Sequence, residues 1–227
     1  MSHFDERPYI RELENWDPIS VWEVDGAWVR KNQQKEFTNF AQWRHPLFKG
    51  IIPANEFWID QGSSPEEHKF FIEHMLHENY LQSRGLAFKK AEREATRVEE
   101  RERHRVPGTV VRSLSKFAPE RQLIQKVGEV EIFAVDGKMV RDNIDPRFCH
   151  GGHDWVYSYV PDKHIWIDDT VVQGEWPYLM VHELMERNKM ELGEEYGKAH
   201  PACSKIEWKC RHDHQELLRQ EKELGLL

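Results

Sequence analysis

The chain has 227 residues, enough for one large or two small domains with a buried core, and its nine Trp and eleven Phe among 39% hydrophobic residues exclude disorder of the whole. Thirty-two basic against 40 acidic residues leave a net charge of −8, with no basic block outside the mixed run Glu94–Arg105, which argues against nucleic acid as the partner. The three cysteines are too few for a disulfide framework, the first residues carry no apolar signal core, and no run reaches membrane-spanning length, so the expectation is a soluble, cytoplasmic protein of a reducing compartment.

In chain order, "VWEVDGAWVR" (Val21–Arg30) alternates around Asp25-Gly26, which predicts a hairpin whose tight turn wants positive φ. A second hairpin is expected before a helix that opens with a capping box at Ser64-Pro65-Glu66-Glu67 and stops at a left-handed Gly85. The partner helix starts near Ala87, and its run "KKAEREATRVEERERHR" reads as a solvated face until Pro107 and Gly108 interrupt it in "RVPGTVV". The pattern then begins again with "IFAVDGKMVR" (Ile132–Arg141) around Asp136-Gly137 and with "WVYSYVPDKHIWID" (Trp155–Asp168), read as strands flanking Pro161-Asp162. Gly193 separates a second helix pair, whose last member is expected to run on through "KIEWKCRHDHQELLRQEKEL", with Pro201 as a kink or a late start. Trp22, Trp28, Trp58, Trp155 and Trp166 fall in strand patterns and are expected in the core.

This recurrence is a duplication. Residues 57–99 laid without a gap on 165–207 match at 11 of 43 positions: Trp58/Trp166, Ile59/Ile167, Asp60/Asp168, Glu67/Glu175, His74/His182, Leu76/Leu184, Glu78/Glu186, Gly85/Gly193, Lys90/Lys198, Ala91/Ala199 and Glu99/Glu207. The predicted fold class is α+β: two tandem copies, 1–107 and 108–227, each a small antiparallel sheet of two hairpins followed by a helix pair, with a pseudo-two-fold contact expected between them.

The second helix pair carries candidate chemistry. In "VHELMERNKMELGEEYGKAH", His182 and Glu186 stand four apart on one helical face, while Glu183 points to the flank. Glu186 lies seven residues before Gly193 and His200 seven after it, so an antiparallel helix hairpin sets them level. Two histidines and a carboxylate suit zinc, with an open fourth position for water, Glu183 as the general base and Glu207 holding the His200 ring. In "CHGGHDW", the glycines let a loop pass close to the cleft, where His153 or Tyr157 is placed to bind substrate or an oxyanion.

A strand pair ending in "IWID", then "HELME", a glycine turn and "YGKAH", resembles the small zincin-like metallopeptidase domains of bacteria and their phages over about Val130–Trp208. The resemblance implies zinc on His182, Glu186 and His200, Glu183 as base, and a peptide or protein substrate; it departs from the better-known motif in having Glu186 where that motif has histidine. In the first copy the matching positions are His74, Glu78 and Glu92, with Met75 in place of the base, which reads as a degenerate site. The competing expectation is a non-catalytic binding or structural protein that retains the scaffold.

Overall fold

The structure, a computed structural model, describes residues 7–107 and 119–227; most of the expected joint between the copies, from Gly108 on, lies outside them. The chain divides into two compact units, one of the described residues of Met1–Lys116 with Lys138–Arg147, the other of those of Phe117–Gly137 with Phe148–Leu227.

The first unit contains β1 (Tyr9–Trp16), β2 (Ile19–Val24), α1 (Gly26–Asn32), β3 (Phe40–Gln42), β4 (Glu56–Asp60), α2 (His68–Ser83) and α3 (Phe88–Arg105). Its sheet has the order β1-β2-β4-β3. The second unit repeats the plan with β5 (Glu120–Val127), β6 (Val130–Val135), β7 (Gly151–His153), β8 (His164–Asp168), α5 (Trp176–Glu191), α6 (Tyr196–His212) and α7 (His214–Leu224), in the order β5-β6-β8-β7. The helix α4 (Gly137–Asn143) follows β6 as α1 follows β2. An α+β fold of two similarly built sheet-and-helix units, expected from the duplication, is what the chain adopts.

The sheets are mixed, which corrects the antiparallel expectation. β2 runs parallel to β4 and β6 parallel to β8, each pair linked through a short helix and an edge strand. The reason lies at Asp25-Gly26 and Asp136-Gly137. Both dipeptides open helices; the hairpin turns come earlier, between β1 and β2 and between β5 and β6. Asp25 caps α1 by accepting the Trp28 N–H at 2.9 Å. Glycine is required next to it for space, not for positive φ: a Cβ on Gly26 would stand 2.1–2.4 Å from the Asp60 carboxyl, and one on Gly137 2.2–2.3 Å from that of Asp168. In the first unit that aspartate is held by Arg30, whose Nη1 donates to Asp60 Oδ2 at 2.6 Å.

The second expected hairpin is also displaced. β8 does pair with an antiparallel strand, but that strand is Gly151–His153, and Trp155–Val160 lies within the loop that connects them. Trp155 is 50% exposed, against expectation, because it sits in this loop and not in a strand. Trp58 and Trp166 are buried as expected.

The helix pairs close over one face of each sheet. Gly85 (φ 89°) and Gly193 (φ 91°) provide the left-handed stops between α2 and α3 and between α5 and α6. Val130, Ile132, Ile165, Ile167, Leu179, Val181 and Leu184 build the second unit's core; Val21, Phe57, Ile59, Phe71, Ile72 and Met75 do so in the first. The predicted capping box does not form: α2 begins at His68, and the Glu67 side chain makes no cap bond. Buried arginines take it instead, since Arg141 Nε and Nη2 donate to Glu67 at 2.8 and 2.7 Å and Arg103 Nη1 donates at 2.8 Å. The last helix is divided. α6 runs through Pro201 to His212, and Asp213 then caps α7 by accepting the Gln215 and Glu216 N–H groups.

Candidate metal centre

α5 and α6 bring His182, Glu186 and His200 together. Val181, Leu184 and their neighbours bury one stripe of α5 in the core, which fixes the roll of the helix and turns positions 182 and 186 toward α6. His182 Nε2 is 3.3 Å from Glu186 Oε2 and 3.2 Å from His200 Nδ1, and His200 Nδ1 is 2.7 Å from Glu186 Oε2. Ligands about 2.0–2.1 Å from a tetrahedral zinc stand roughly 3.3 Å from one another. Two edges of the triangle meet that spacing, and the 2.7 Å edge needs to open by about half an ångström. The donor set, two imidazoles and one carboxylate, fits zinc chemically as well.

His182 is buried and its ring is oriented from behind. Its Nδ1 meets Glu207 Oε2 at 2.8 Å; Glu207 accepts from Arg211 at 2.9 and 2.8 Å, and Arg211 Nη1 also donates to both oxygens of Glu175. Glu207, expected to hold the His200 ring, holds that of His182 instead, because residues 200 and 207 are separated by two turns along α6. Arg211 was missed altogether. Extending the gap-free overlay four residues past Glu99/Glu207 pairs it with Arg103, and that identity was the available signal.

Burial opposes charge on His182, yet the hydrogen bonds to Glu186 and Glu207 and the nearby Glu183 raise its pKa to about 10. A cation at Nε2 therefore has a proton to displace. Burial also works against the Glu186 carboxylate, but His153, His182 and His200 hold its pKa far below the ordinary range, so it stays anionic. Glu183 behaves oppositely. It is half-buried beside Gly151, and burial, only partly offset by the charges of His182 and His153, raises its pKa. It belongs to a second close group, His153–Glu183–Glu186, which shares Glu186 with the first. His153 is fully buried, its Nε2 3.2 Å from Glu186 Oε1. Tyr157 packs its ring over Gly152 and stacks on Tyr159 with centroids 5.1 Å apart. Tyr196, 47% exposed, stacks on the His200 ring at 5.1 Å.

The first unit offers a comparison within the same chain. His74 Nδ1 meets Glu99 Oε2 at 2.8 Å, Arg103 Nε donates to Glu99 at 2.9 Å and Arg103 Nη1 to Glu67 at 2.8 Å, which repeats the chain of contacts behind His182. Around Glu78 the residues differ. Gln42 donates to one carboxylate oxygen at 2.7 Å and Gln82 to the other at 2.8 Å; Met75 is buried where the second unit has Glu183, and Glu92 replaces His200. Burial, with the Glu92 charge adding to it, raises the pKa of Glu78. Among the described residues, the close groups of His, Cys, Asp and Glu suited to a metal ion lie in the second unit.

Cys203 and Cys210 are buried and Cys149 half-buried, with no disulfide between them; Asp213 serves as a helix cap, and the ring of His212 donates to the Trp208 carbonyl. No helix among the described residues is long and apolar enough to cross a membrane. No family model, curated protein or solved structure matches this chain.

Proposed function

We propose that the chain is a zinc-dependent hydrolase, and within that class a zincin-like metallopeptidase whose chemistry resides in the second of two copies divided at 107/108. The observation that carries the reading is the contrast between copies. The framework His–Glu–Arg–Glu is shared, so it serves the fold in both. Around the central carboxylate two positions change toward an ion and a proton transfer: His200, an imidazole, stands where the first copy has Glu92, and Glu183, a base, stands where it has the buried Met75.

His182 Nε2, Glu186 Oε2 and His200 Nδ1 would hold the ion, which supplies Lewis acidity and lowers the pKa of a water to about 7. Glu207, anchored by Arg211, fixes the His182 ring with Nδ1 as donor. Glu183 takes a proton from the attacking water at its carboxylate and returns it to the leaving nitrogen. Its raised pKa suits both transfers, since a base too acidic would hold the proton too weakly to deliver it. Exposed Tyr196 and the loop bearing Tyr157 offer the substrate aromatic surface.

The test is Glu183→Gln on the full-length chain, with a peptide-library assay and zinc content measured together. The expected result is loss of turnover by ~10²-fold or more with zinc retained. Turnover at the wild-type rate in this variant refutes the assigned base.

A further inference from the structure

Glu186 turns its two oxygens to two sides: Oε2 faces His182 and His200, and Oε1 faces His153. The second side also holds Glu183, so composition alone would allow a second ion with Glu186 as a bridge. The other nitrogen of His153 decides against it. Nδ1 accepts the backbone N–H of Trp155 at 3.3 Å, so in the neutral ring the proton sits on Nε2, which donates to Glu186 Oε1. In that tautomer Nε2 has no lone pair for a cation. His182 has the reverse arrangement: Nδ1 faces a carboxylate and keeps its proton, while Nε2, on the side of His200, is the nitrogen that gives up its proton to a cation.

The loop that supplies the Trp155 N–H is clamped. Arg187, next to Glu186 on α5 and buried, donates to both oxygens of Asp154 at 2.8 and 3.0 Å, and Asp154 also accepts the Lys163 N–H at 2.8 Å.

We infer that His153 is a positioning residue and not a ligand: its Nε2–H holds the outer oxygen of Glu186, leaving Oε2 alone for a single cation between His182 and His200. This rests on the metal-hydrolase reading above. The first unit makes the same bond with a different residue, since Gln42 occupies the matching register of β3 and donates to Glu78 at 2.7 Å. An amide N–H can replace the donor, but it is a poor substitute for imidazole as a zinc ligand. Glutamine at position 153 therefore separates the two roles.

The experiment measures zinc per chain by elemental analysis and zinc affinity by competition with a chromophoric chelator, on full-length wild type, His153→Gln and His153→Ala. Wild type and His153→Gln are each expected to hold one zinc, with affinities within about fivefold, while His153→Ala binds ~10–100-fold more weakly. Two zinc ions in wild type falling to one in His153→Gln overturns the inference, as does a loss beyond that fivefold range in His153→Gln or unchanged affinity in His153→Ala. Should the alanine variant fail to fold, His153→Gln alone decides by the same criterion. A wild type that takes up no zinc overturns the metal-hydrolase reading together with this one, so the two failures are distinguished by the wild-type value.

Discussion

Glu67→Gln is the sharpest probe of what holds the first unit together. Three N–H donors converge on this carboxylate, Arg103 Nη1, Arg141 Nε and Arg141 Nη2, at 2.7–2.8 Å, and all three side chains are buried. Glutamine keeps one acceptor oxygen and turns an NH₂ group toward an arginine, so at least one donor loses its partner and two guanidiniums lose a shared negative charge. Glu99 and Asp142 remain beside Arg103, which limits the damage but does not replace the bidentate contact to Arg141. Removing one partner of a buried ion pair costs ~3–5 kcal/mol, a large part of a typical stability of ~5–15 kcal/mol. At a urea dependence of ~3 kcal/mol per molar, the unfolding midpoint falls by about 1–1.7 M. Glu67 also gives a signed pH effect. Burial opposes its charge, but the hydrogen bonds and charges of Arg141 and Arg103 win and leave its pKa below the ordinary carboxylate value. Its contribution is thus complete above that value and is lost as pH falls through the lower, folded one, so the gap between wild type and variant narrows in acid. Urea melts followed by circular dichroism at pH 7 and across the acid range measure both effects, with exposed Glu66→Gln as a control expected to stay within ~0.5 kcal/mol. A Glu67→Gln variant within ~1 kcal/mol of wild type at pH 7, or a gap that does not shrink in acid, refutes the reasoning.

Gly137→Ala is expected to destabilise by ~1–3 kcal/mol despite alanine's better helix propensity, because its Cβ meets the buried Asp168 carboxyl at 2.2 Å; Gly197→Ala, with nothing within 4 Å, should leave the thermal midpoint unchanged or raise it. His45, half-buried against Phe48 and Phe88, has its pKa lowered by burial to about 4, so the unfolded chain binds its proton first and stability should fall as pH drops from about 6.5 to about 4; His45→Gln should flatten that part of a midpoint-against-pH curve.

The convergence of His182, Glu186 and His200 was legible because it depends on two short-range quantities, the helical repeat and equal spacing from Gly193, whose left-handed conformation ends one helix before the next begins. The parallel pairing of β2 with β4 was not. Asp-Gly after an alternating stretch is the mark of a hairpin turn, and what distinguishes these two is the carboxyl of Asp60 or Asp168 in the space where a Cβ would stand, a contact 31–34 residues distant. The capping box at Ser64–Glu67 failed for a related reason: a local motif lost its glutamate to buried arginines that no local pattern announces. The correspondence of His153 with Gln42 was hidden by the change of offset between the strands and the helices of the repeat, although both residues hold the same register on their edge strands.

The most direct test is the amount of zinc bound by the full-length protein after purification and exhaustive dialysis, measured by elemental analysis on wild type beside His182→Ala. One zinc per wild-type chain and a trace in the variant are predicted. Negligible zinc in both, from folded protein reconstituted with excess zinc, would contradict the proposal that His182, Glu186 and His200 form a metal centre.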